Sequence, residues 1–487
     1  MLSKIFRVSL PRMARPPSIT GAGLNWNKVC LVAAQNENGC LRTWAPAIAA
    51  SANRTLSSYI KNPAVATSVD RYERVPREEI SAFDHDAPFI NSWGDDIALS
   101  SSSVSSDGHL VVVKWSDDEA QIYPAVWLRD QCHCSECCYP DSFTRKTFLT
   151  DMNLETKIQN AFLSDDGKIL SVDWADGHRG NFPTGWLRGH RFDQSQSDPI
   201  ADLRPRLWGH DVMATADFSF FDFDEVMEND DALYEWLKGL YGLGIALLKN
   251  APVETGQHFR LQNRLGYESP SPISSGIVTQ VKLNQKSDHP AYSEKSLQLH
   301  NDMTYYNQAK GYQSFHCIKQ ASGEGGESLL VDAFKVAEEL RHQNQEAFEM
   351  LTRIPWEFKL LMGTNYHSAR REAIRLNNKG EVCQVTINDI CRAAMLRIPP
   401  KDVHDAYVAL QEFTRMLYHP DFVAKYMLAP GDILVFNNLR VLHGRLGFSV
   451  TAETQRHLES CYSDWDIIPA TLRNLRKQRI LAKCKSD

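Results

Sequence analysis

The segment QLHNDMTYYNQAKGYQSFHCIKQ, residues 298–320, is the most informative part of the chain because it contains the pair His300-Asn301-Asp302. On a strand or at its end, residues i and i+2 point to the same side, so the imidazole of His300 and the carboxylate of Asp302 can converge on one ion. A second imidazole follows 143 residues later, at His443 in VLHGR. Two histidines and one carboxylate leave three coordination positions open, which is the ligand set of non-haem Fe(II) oxygenases.

Arg456 favours this interpretation over a chance pairing. An H-x-D pair alone means little in a chain with 16 histidines and 60 acidic residues. Arg456 lies 13 residues after His443 and opens the predicted strand RHLESCY. Its guanidinium can form a bidentate ion pair with the far carboxylate of a dicarboxylate chelator, although a structural salt bridge is the alternative role. A zinc hydrolase would also fit the three metal ligands, but it gives Arg456 no role.

A second metal site is predicted where three cysteines fall within six residues, at Cys132, Cys134 and Cys137. Bunched cysteines in a large chain indicate metal ligation in a reducing compartment rather than a disulfide framework. Structural zinc takes four nitrogen or sulfur ligands, and we expect His178, in the turn after ILSVDW, to be the fourth. The rival ligands are His133 and Cys138, and reduced cysteines without a metal are the alternative.

The length and composition limit the possible classes of protein. The chain has 487 residues, which predicts about two or three domains. Its net charge of −7 argues against a nucleic-acid partner. No apolar run approaches the roughly 18–20 residues of a membrane span, so no membrane partner is expected. The pattern contains no internal repeat that we could identify, and many short strands with a few helices predict a β-barrel or jelly-roll core.

The N-terminal segment has the composition of a targeting signal. Glu37 is the only acidic residue among residues 1–69, which carry several Lys and Arg and many Ser and Ala. Such a profile is typical of a mitochondrial transit peptide, and a disordered basic tail is the alternative. We expect a leader over residues 1–95. The acidic, serine-rich stretch over residues 84–107, which overlaps its end, is expected to be a linker. Matrix localisation follows from this expectation, with the cytoplasm as its alternative.

Several elements can be predicted from periodicity. Alternation and turn signals predict strands at LVVVKW (residues 110–115), IYPAVWL (122–128), ILSVDW (169–174) and, later, DILVF (432–436). Apolar residues at helical spacing predict a helix over residues 230–241 with Gly242 as its C-cap. Another helix is expected from about Ala333 to Leu340, with Asp332 as its N-cap.

At this point the motifs resemble the γ-butyrobetaine dioxygenase and trimethyllysine dioxygenase family. The likeness rests on residues 298–320, GGESLLVDAF (325–334), PGDILVFNNLRVLHGR (430–445) and RHLESCYSDWD (456–466), and on WLRDQCHCSECC (127–138) for the family's zinc-binding N-terminal domain. The resemblance implies a mainly β fold with flanking helices. It comprises a double-stranded β-helix (jelly-roll) oxygenase domain over residues 206–487 and a small zinc-binding β-domain over residues 96–205. It also implies a homodimer.

The resemblance further implies roles for single residues. The iron ligands would be His300, Asp302 and His443, and Arg456 would bind 2-oxoglutarate. The zinc ligands would be Cys132, Cys134, Cys137 and His178. Tyr292, Asn388 and Tyr462 match residues that bind a quaternary-ammonium substrate in the γ-butyrobetaine branch, where cation–π contact gives the tyrosines a physical purpose.

One departure bears on the substrate. Two further cage aromatics of the family fall by spacing on Ser275 and Thr279, where no aromatic stands, and Tyr305 and Tyr306 are possible replacements. The expected reaction is hydroxylation of γ-butyrobetaine to L-carnitine with Fe(II), 2-oxoglutarate and ascorbate, yielding succinate and CO2. The alternatives are a trimethyllysine dioxygenase and an inactive, zinc-stabilised binding scaffold.

Overall fold

The computed structural model describes residues 97–139, 144–192, 198–266, 278–282, 290–321, 323–449 and 456–486. The predicted leader over residues 1–95 therefore lies outside the described residues. Among the helices that are described, none combines the length and the apolar character needed to cross a bilayer.

The N-terminal part consists of two three-stranded antiparallel sheets, and a short helix follows each sheet. The first half comprises β1 (Leu99–Val104), β2 (Leu110–Trp115), β3 (Ala120–Pro124) and α1 (Ala125–Asp130). The second half comprises β4 (Ile158–Leu163), β5 (Ile169–Trp174), β6 (Arg179–Pro183) and α2 (Thr184–Gly189). Alternate side chains of β2 and β5 are buried between the halves, as the period-two pattern predicts.

The two halves form an internal repeat, so the expectation of no repeat was wrong. Trp115 and Trp174, which end the two central strands, are 59 residues apart, and the same interval relates YPAVWLRD (residues 123–130) to FPTGWLRG (182–189). Strand alternation is common to all half-buried sheets, and the identical residues are confined mainly to the Pro-x-x-Trp-Leu-Arg segment of each half. The sequence pattern alone therefore did not distinguish a duplication from two unrelated hairpins.

The halves contact each other through equivalent side chains. Arg129 of the first half lies 3.3 Å from Asp176 of the second, and Arg188 of the second lies 2.6 Å from Asp117 of the first. Each guanidinium also lies over the tryptophan that ends the other half's central strand, at 5.8 and 5.0 Å from the ring centroid. These reciprocal contacts relate the halves by an approximate twofold axis.

The larger C-terminal part contains the remaining elements, which are mainly strands. They are β7 (Phe220–Asp222), α3 (Phe223–Glu228), α4 (Asp230–Leu243), β8 (Ile245–Lys249), α5 (Gln257–Arg264), β9 (Val278–Lys282), β10 (Leu297–His300), β11 (Tyr312–Lys319), β12 (Ser328–Asp332), α6 (Ala333–Gln343), α7 (Gln345–Arg353), β13 (Pro355–Met362), β14 (Asn365–Glu372), β15 (Ile374–Leu376), β16 (Val382–Val385), α8 (Val403–Leu417), β17 (Ala424–Tyr426), β18 (Ile433–Asn437), β19 (Val441–Arg445), β20 (His457–Ser463) and α9 (Ile467–Ser486).

Two sheets form the framework of this part, which confirms the mainly β class with flanking helices. A six-stranded sheet has the order β7-β8-β18-β11-β20-β9, and a four-stranded sheet has the order β10-β19-β12-β17. Leu330 and Val441 of the smaller sheet share an apolar core with Leu247, Leu434 and Phe436 of the larger one. The helices α6, α7 and α8 cover the outer face of the smaller sheet, and α4 and α9 cover that of the larger sheet.

Three local predictions need correction. Residues 99–104, assigned to a linker, form the edge strand β1, because the serine-rich segment pairs with β2. The segment IYPAVWL is a strand only as far as Pro124, after which α1 begins. The C-cap of α4 is Gly244, which adopts φ = 72°, and Gly242 lies within the helix. The strands at 110–115, 169–174 and 433–437, and the N-cap at Asp332, are confirmed.

A buried ion pair between Arg440 and Asp332 links the smaller sheet to the backbone at Arg206 and Gly242. Arg440, just before β19, donates through Nε and Nη2 to the two carboxylate oxygens of Asp332, both at 2.9 Å. Its other N–H groups donate to the carbonyl oxygens of Gly242 and Arg206. Both side chains are almost fully buried, at 2% and 0% exposure, so each charge depends on its partner for compensation.

Replacing Arg440 with methionine should therefore destabilise the fold strongly. The variant leaves the Asp332 carboxylate buried without its counter-charge, and such losses cost roughly 3–5 kcal/mol. Chemical denaturation at neutral pH measures the difference in unfolding free energy. The matched control is Arg179→Met, which removes an exposed partner of Asp173 and should change the free energy of unfolding far less, because water screens that pair. Equal effects of the two variants would contradict the structural role assigned to Arg440.

Candidate active site

The three predicted iron ligands meet at the junction of two paired strands. His300 ends β10 and lies directly opposite His443 of β19, and Asp302 follows two residues after His300. Asp302 Oδ1 is 3.3 Å from Nε2 of His300, and Asp302 Oδ2 is 3.6 Å from Nε2 of His443. One ligand atom from each residue lies within 4.8 Å of the others, so the three side chains can hold a single ion.

A hydrogen bond orients His300 for metal binding. Its Nδ1 lies 2.7 Å from the carbonyl oxygen of Gln298, which places a proton on Nδ1 because a carbonyl can only accept. The Nε2 lone pair of the neutral ring then points toward Asp302, where a cation between them would satisfy both groups. A backbone partner of this kind is a regular feature of metal-binding histidines.

The charges of the site also suit a cation. Burial alone would raise the pKa of Asp302, but the neighbouring imidazoles of His300 and His443 hold that pKa well below its ordinary value. Burial and the neighbouring His300 lower the pKa of His443 to about 4, whereas Asp302 outweighs burial and raises the pKa of His300. At neutral pH, Asp302 is therefore an anion and His443 is neutral, as metal ligation requires.

The backbone between the ligands is held by amide side chains. The Asn438 side chain accepts from the backbone N–H of Asp302 and donates to its carbonyl oxygen, both at 2.9 Å. The Asn301 side chain accepts a hydrogen bond from the backbone N–H of Ile387 and donates one to the carbonyl oxygen of Asn438. Met303 follows with φ = 58°, a left-handed conformation that is unfavourable for a side chain and needs such support.

A cavity of about 270 Å³ opens beside the three ligands and is bordered by both sheets. This volume is close to the lower limit of roughly 300 Å³ for ligand pockets, so the cavity suits small molecules. The predicted residues that line it are His300, Asp302, His443, Arg456, Tyr292, Asn388 and Tyr462. Thr279 also lines the cavity, whereas Ser275 lies outside the described residues.

Arg456 presents a buried cation to this cavity. It is 5% exposed, and its Nε has no hydrogen-bond partner among the residues that the structure describes. Burial and the nearby Arg445 lower its pKa to about 10, so it remains charged at neutral pH. A buried guanidinium with an unpaired donor requires an acceptor, and a carboxylate provides the best geometric match. The salt-bridge alternative for Arg456 finds no carboxylate partner in the described chain.

Two predicted substrate residues form hydrogen bonds with residues 301–302, in the segment that carries two of the predicted iron ligands. The Tyr462 hydroxyl donates to Asp302 Oδ2 at 2.8 Å. The Asn388 side chain donates to the carbonyl oxygen of Asn301 at 2.9 Å and accepts from the backbone N–H of Cys391 at 3.1 Å. One amide hydrogen of Asn388 and the ring face of Tyr462 are left for a ligand in the cavity.

Sequence reasoning missed two further residues of the site, Gln313 and Arg445. Gln313 on β11 donates to Asp302 Oδ2 at 2.8 Å, and Arg445 on β19 lies two residues beyond His443 with its guanidinium held by backbone carbonyls. Of the two possible replacement aromatics, Tyr305 adds a third tyrosine ring to the cavity lining, whereas Tyr306 is not part of the lining and packs at a tilt against His367. Arg445 was detectable, because residues i and i+2 of a strand share a face. A glutamine on a strand carries no such signal.

The predicted zinc ligands also converge. Nε2 of His178 lies 3.3, 3.7 and 3.6 Å from the sulfur atoms of Cys132, Cys134 and Cys137. Zinc bonds of about 2.3 Å to sulfur and 2.0–2.1 Å to nitrogen, arranged tetrahedrally, would separate S and N by about 3.5 Å. Of the two rivals, Cys138 turns its sulfur to the Cys132 carbonyl and His133 packs its ring against Trp186.

Comparisons with known proteins agree with this geometry. Residues 201–462 match the family model described as "Taurine catabolism dioxygenase TauD, TfdA family", and residues 102–188 match "Gamma-butyrobetaine hydroxylase-like, N-terminal". The chain is 31% identical over 378 residues to gamma-butyrobetaine dioxygenase of Homo sapiens, covering 76% of this chain and 95% of that protein. It is 30% identical to gamma-butyrobetaine dioxygenase of Pseudomonas sp. (strain AK-1), covering 75% and 93%.

A second enzyme name occurs among the relatives. Mitochondrial trimethyllysine dioxygenase of Bos taurus is 30% identical over 365 residues, covering 72% of this chain and 82% of that protein. The two groups of relatives share the dioxygenase designation and differ in the substrate they are named for.

Proposed function

Because the chain belongs to the TauD and TfdA family of dioxygenases, we propose that it hydroxylates γ-butyrobetaine to L-carnitine with Fe(II) and 2-oxoglutarate. One observation carries the proposal: the His300, Asp302 and His443 ligand set and the unpaired Arg456 guanidinium border the same cavity. A metal site without such a cation would fit several hydrolases equally well.

The residues present fit iron and its co-substrate. His300, Asp302 and His443 would hold the ion and leave positions for a chelating keto acid and dioxygen. The chemistry supplied by bound iron(II) is the activation of dioxygen, which converts 2-oxoglutarate to succinate and CO2 while the substrate gains a hydroxyl group. Arg456 would bind the distal carboxylate of 2-oxoglutarate, and the apolar side chains of Phe315 and Leu458 would exclude water from the cavity.

The rest of the cavity suits a quaternary ammonium group with a carboxylate at its other end. The rings of Tyr292, Tyr305 and Tyr462 can face a trimethylammonium cation, and the negative charge of Asp302 lies near all three. Tyr305 would thus take the place of the aromatics that are absent at Ser275 and Thr279. The second amide hydrogen of Asn388 would bind the substrate carboxylate, so the carbon between the two ends is held near the metal.

Trimethyllysine is the second candidate substrate, because relatives named for it match the chain at similar identity. It shares the trimethylammonium group and differs at the other end, where it carries an α-amino group as well as a carboxylate. The choice between the two substrates therefore depends on the part of the cavity around Asn388.

An assay of succinate formation decides between these functions. With Fe(II), 2-oxoglutarate and oxygen, γ-butyrobetaine should stimulate succinate formation more than trimethyllysine or the unmethylated analogues do. Coupling to trimethyllysine alone would establish the second candidate, and no coupling to any substrate would support a binding scaffold. Turnover that persists without oxygen would contradict both dioxygenase assignments.

Replacing Arg456 should affect the co-substrate selectively. Arg456→Met removes a charge-assisted, bidentate contact, so the KM for 2-oxoglutarate should rise roughly 10–100-fold, and Arg456→Lys should restore part of the loss. Steady-state kinetics with each substrate varied in turn measures the effect. A rise in the KM for γ-butyrobetaine alone would instead assign Arg456 to the substrate carboxylate.

We further propose that Cys132, Cys134, Cys137 and His178 bind structural zinc. The sulfur–nitrogen separations support a closed tetrahedral site, and the ion would join the segment after α1 to the β5–β6 turn.

Removing one thiolate tests the zinc assignment. Cys134→Ser should lose one zinc per chain and lower the unfolding temperature, because a closed site contributes its binding energy to folding. Elemental analysis of purified protein measures the metal. Cys138→Ser, at a buried neighbour that turns away from the cluster, should keep its zinc; the opposite result for the pair would make Cys138 the ligand.

The other expectations stay predictions. They are the mitochondrial leader, matrix localisation, the division of the chain at residues 95 and 205, the homodimer and the use of ascorbate.

A further inference from the structure

The two oxygens of the Asp302 carboxylate have different surroundings. Oδ2 accepts two hydrogen bonds, from Nε2 of Gln313 and from the Tyr462 hydroxyl, each at 2.8 Å. Oδ1 is the oxygen nearer to Nε2 of His300, at 3.3 Å. Oδ2 is also the oxygen nearer to Nε2 of His443, at 3.6 Å, so each oxygen faces one of the two histidines and Oδ2 alone accepts from protein donors.

The two donors come from the opposite sheet. Gln313 and Tyr462 are direct cross-strand partners on β11 and β20 of the six-stranded sheet, whereas Asp302 follows β10 of the four-stranded sheet. Gln313 is fully buried, and its amide nitrogen also lies 3.4 Å from the Tyr462 oxygen. The carboxylate is therefore held from across the cavity by a pair whose own spacing is set by backbone pairing.

The orientation of the Gln313 amide is determined by this contact. Its Oε1 is buried and has no hydrogen-bond partner within the described part of the chain. Turning the amide over would place two acceptor oxygens against each other at Asp302. A buried unsatisfied acceptor is costly, so its presence indicates that donation to Asp302 outweighs that cost.

The backbone of Asp302 is already restrained, as the contacts with Asn438 show. Rotation of the carboxylate about its own side-chain bonds is the main freedom left. Gln313 and Tyr462 oppose that rotation, because it would break both charge-assisted hydrogen bonds.

We propose that Gln313 and Tyr462 are positioning residues that fix the rotation of the Asp302 carboxylate, so that its two oxygens stay beside Nε2 of His300 and Nε2 of His443 before an ion binds. The inference rests on the proposed iron site but not on the identity of the substrate. A carboxylate that is already oriented loses less rotational freedom when the ion binds, which favours binding.

The role differs from that of a cage aromatic. Contact between the Tyr462 ring and a substrate cation does not require the hydroxyl group. The hydrogen bond to Asp302 Oδ2 requires only the hydroxyl group. Tyr462→Phe therefore separates the two roles, because it keeps the ring and removes only the donor. Gln313→Met removes the other donor with little change in side-chain length.

The test is a titration of metal-free protein with Co(II), with no substrate present. Tyr462→Phe and Gln313→Met should each weaken Co(II) binding several-fold, and the double variant roughly 10–100-fold, as loss of hydrogen-bond partners to metal ligands generally does. The d–d absorption spectrum of the bound ion should also change, because the Asp302 carboxylate becomes free to rotate. Tyr305→Phe is the control for metal affinity: it removes a hydroxyl from the same cavity that makes no hydrogen bond to Asp302 in the described chain.

The outcomes separate this inference from the function on which it rests. Unchanged affinity and an unchanged spectrum in both single variants would overturn it. If Gln313→Met lowers the unfolding temperature of the metal-free protein, Tyr462→Phe alone decides, since it leaves the packing of the ring intact. Failure of the unaltered chain to bind Co(II) would refute the proposed iron site itself. Rejection of γ-butyrobetaine as substrate would leave the titration valid.

Discussion

The site depends on how the fold compensates the charge of the Asp302 carboxylate. Asp302 is an anion beside two imidazoles at the wall of the cavity, and a charge largely withdrawn from water is tolerated only when it is paired and hydrogen-bonded. Its partners come from four strands in two sheets, so the carboxylate is compensated only when both sheets are in place. The pairing of His300 with His443 sets the distance between the imidazoles, and the opposite sheet sets the orientation of the acid. Metal binding and tertiary structure are therefore linked through a single side chain.

The charges around the cavity also suggest how the two organic ligands share it. Burial and the neighbouring Arg445 lower the pKa of Arg456, and Arg456 has no carboxylate partner in the described chain. A dicarboxylate beside Arg456 would compensate this positive charge. Asp302 and the rings of Tyr292, Tyr305 and Tyr462 line the same cavity and favour a cation. The cavity therefore combines an anion-binding group with cation-binding groups, as the proposed co-substrate and substrate require.

Much of this could be predicted from sequence because it depends on local spacing. The i and i+2 placement of His300 and Asp302, and the cysteine spacing, follow from strand and turn geometry. The end of α4 could not be predicted, because a helix can end at either Gly242 or Gly244. The structure ends it at Gly244, which has a positive φ and whose added Cβ would lie 2.9 Å from the Arg440 side chain. Gln313 was also out of reach, since its partner Asp302 belongs to another sheet and no pattern along β11 distinguishes a buried glutamine from a solvated one.

The repeat in the N-terminal part explains where its metal site lies. Shifting by 59 residues relates Cys132 to Arg191 and His178 to Glu119, and Arg191 Nη1 lies 3.1 Å from Glu119 Oε2. Each half therefore sends the segment after its helix to the strand turn of the other half, and the two equivalent junctions are closed differently. One has the sulfur and nitrogen atoms of Cys132, Cys134, Cys137 and His178, and the other has an ion pair. A salt bridge with a half-exposed carboxylate contributes little, so an ion bound by the cysteine–histidine cluster would restrain its junction more strongly than the ion pair restrains the other. The two equivalent junctions thus differ in chemistry although the strands and helices around them repeat.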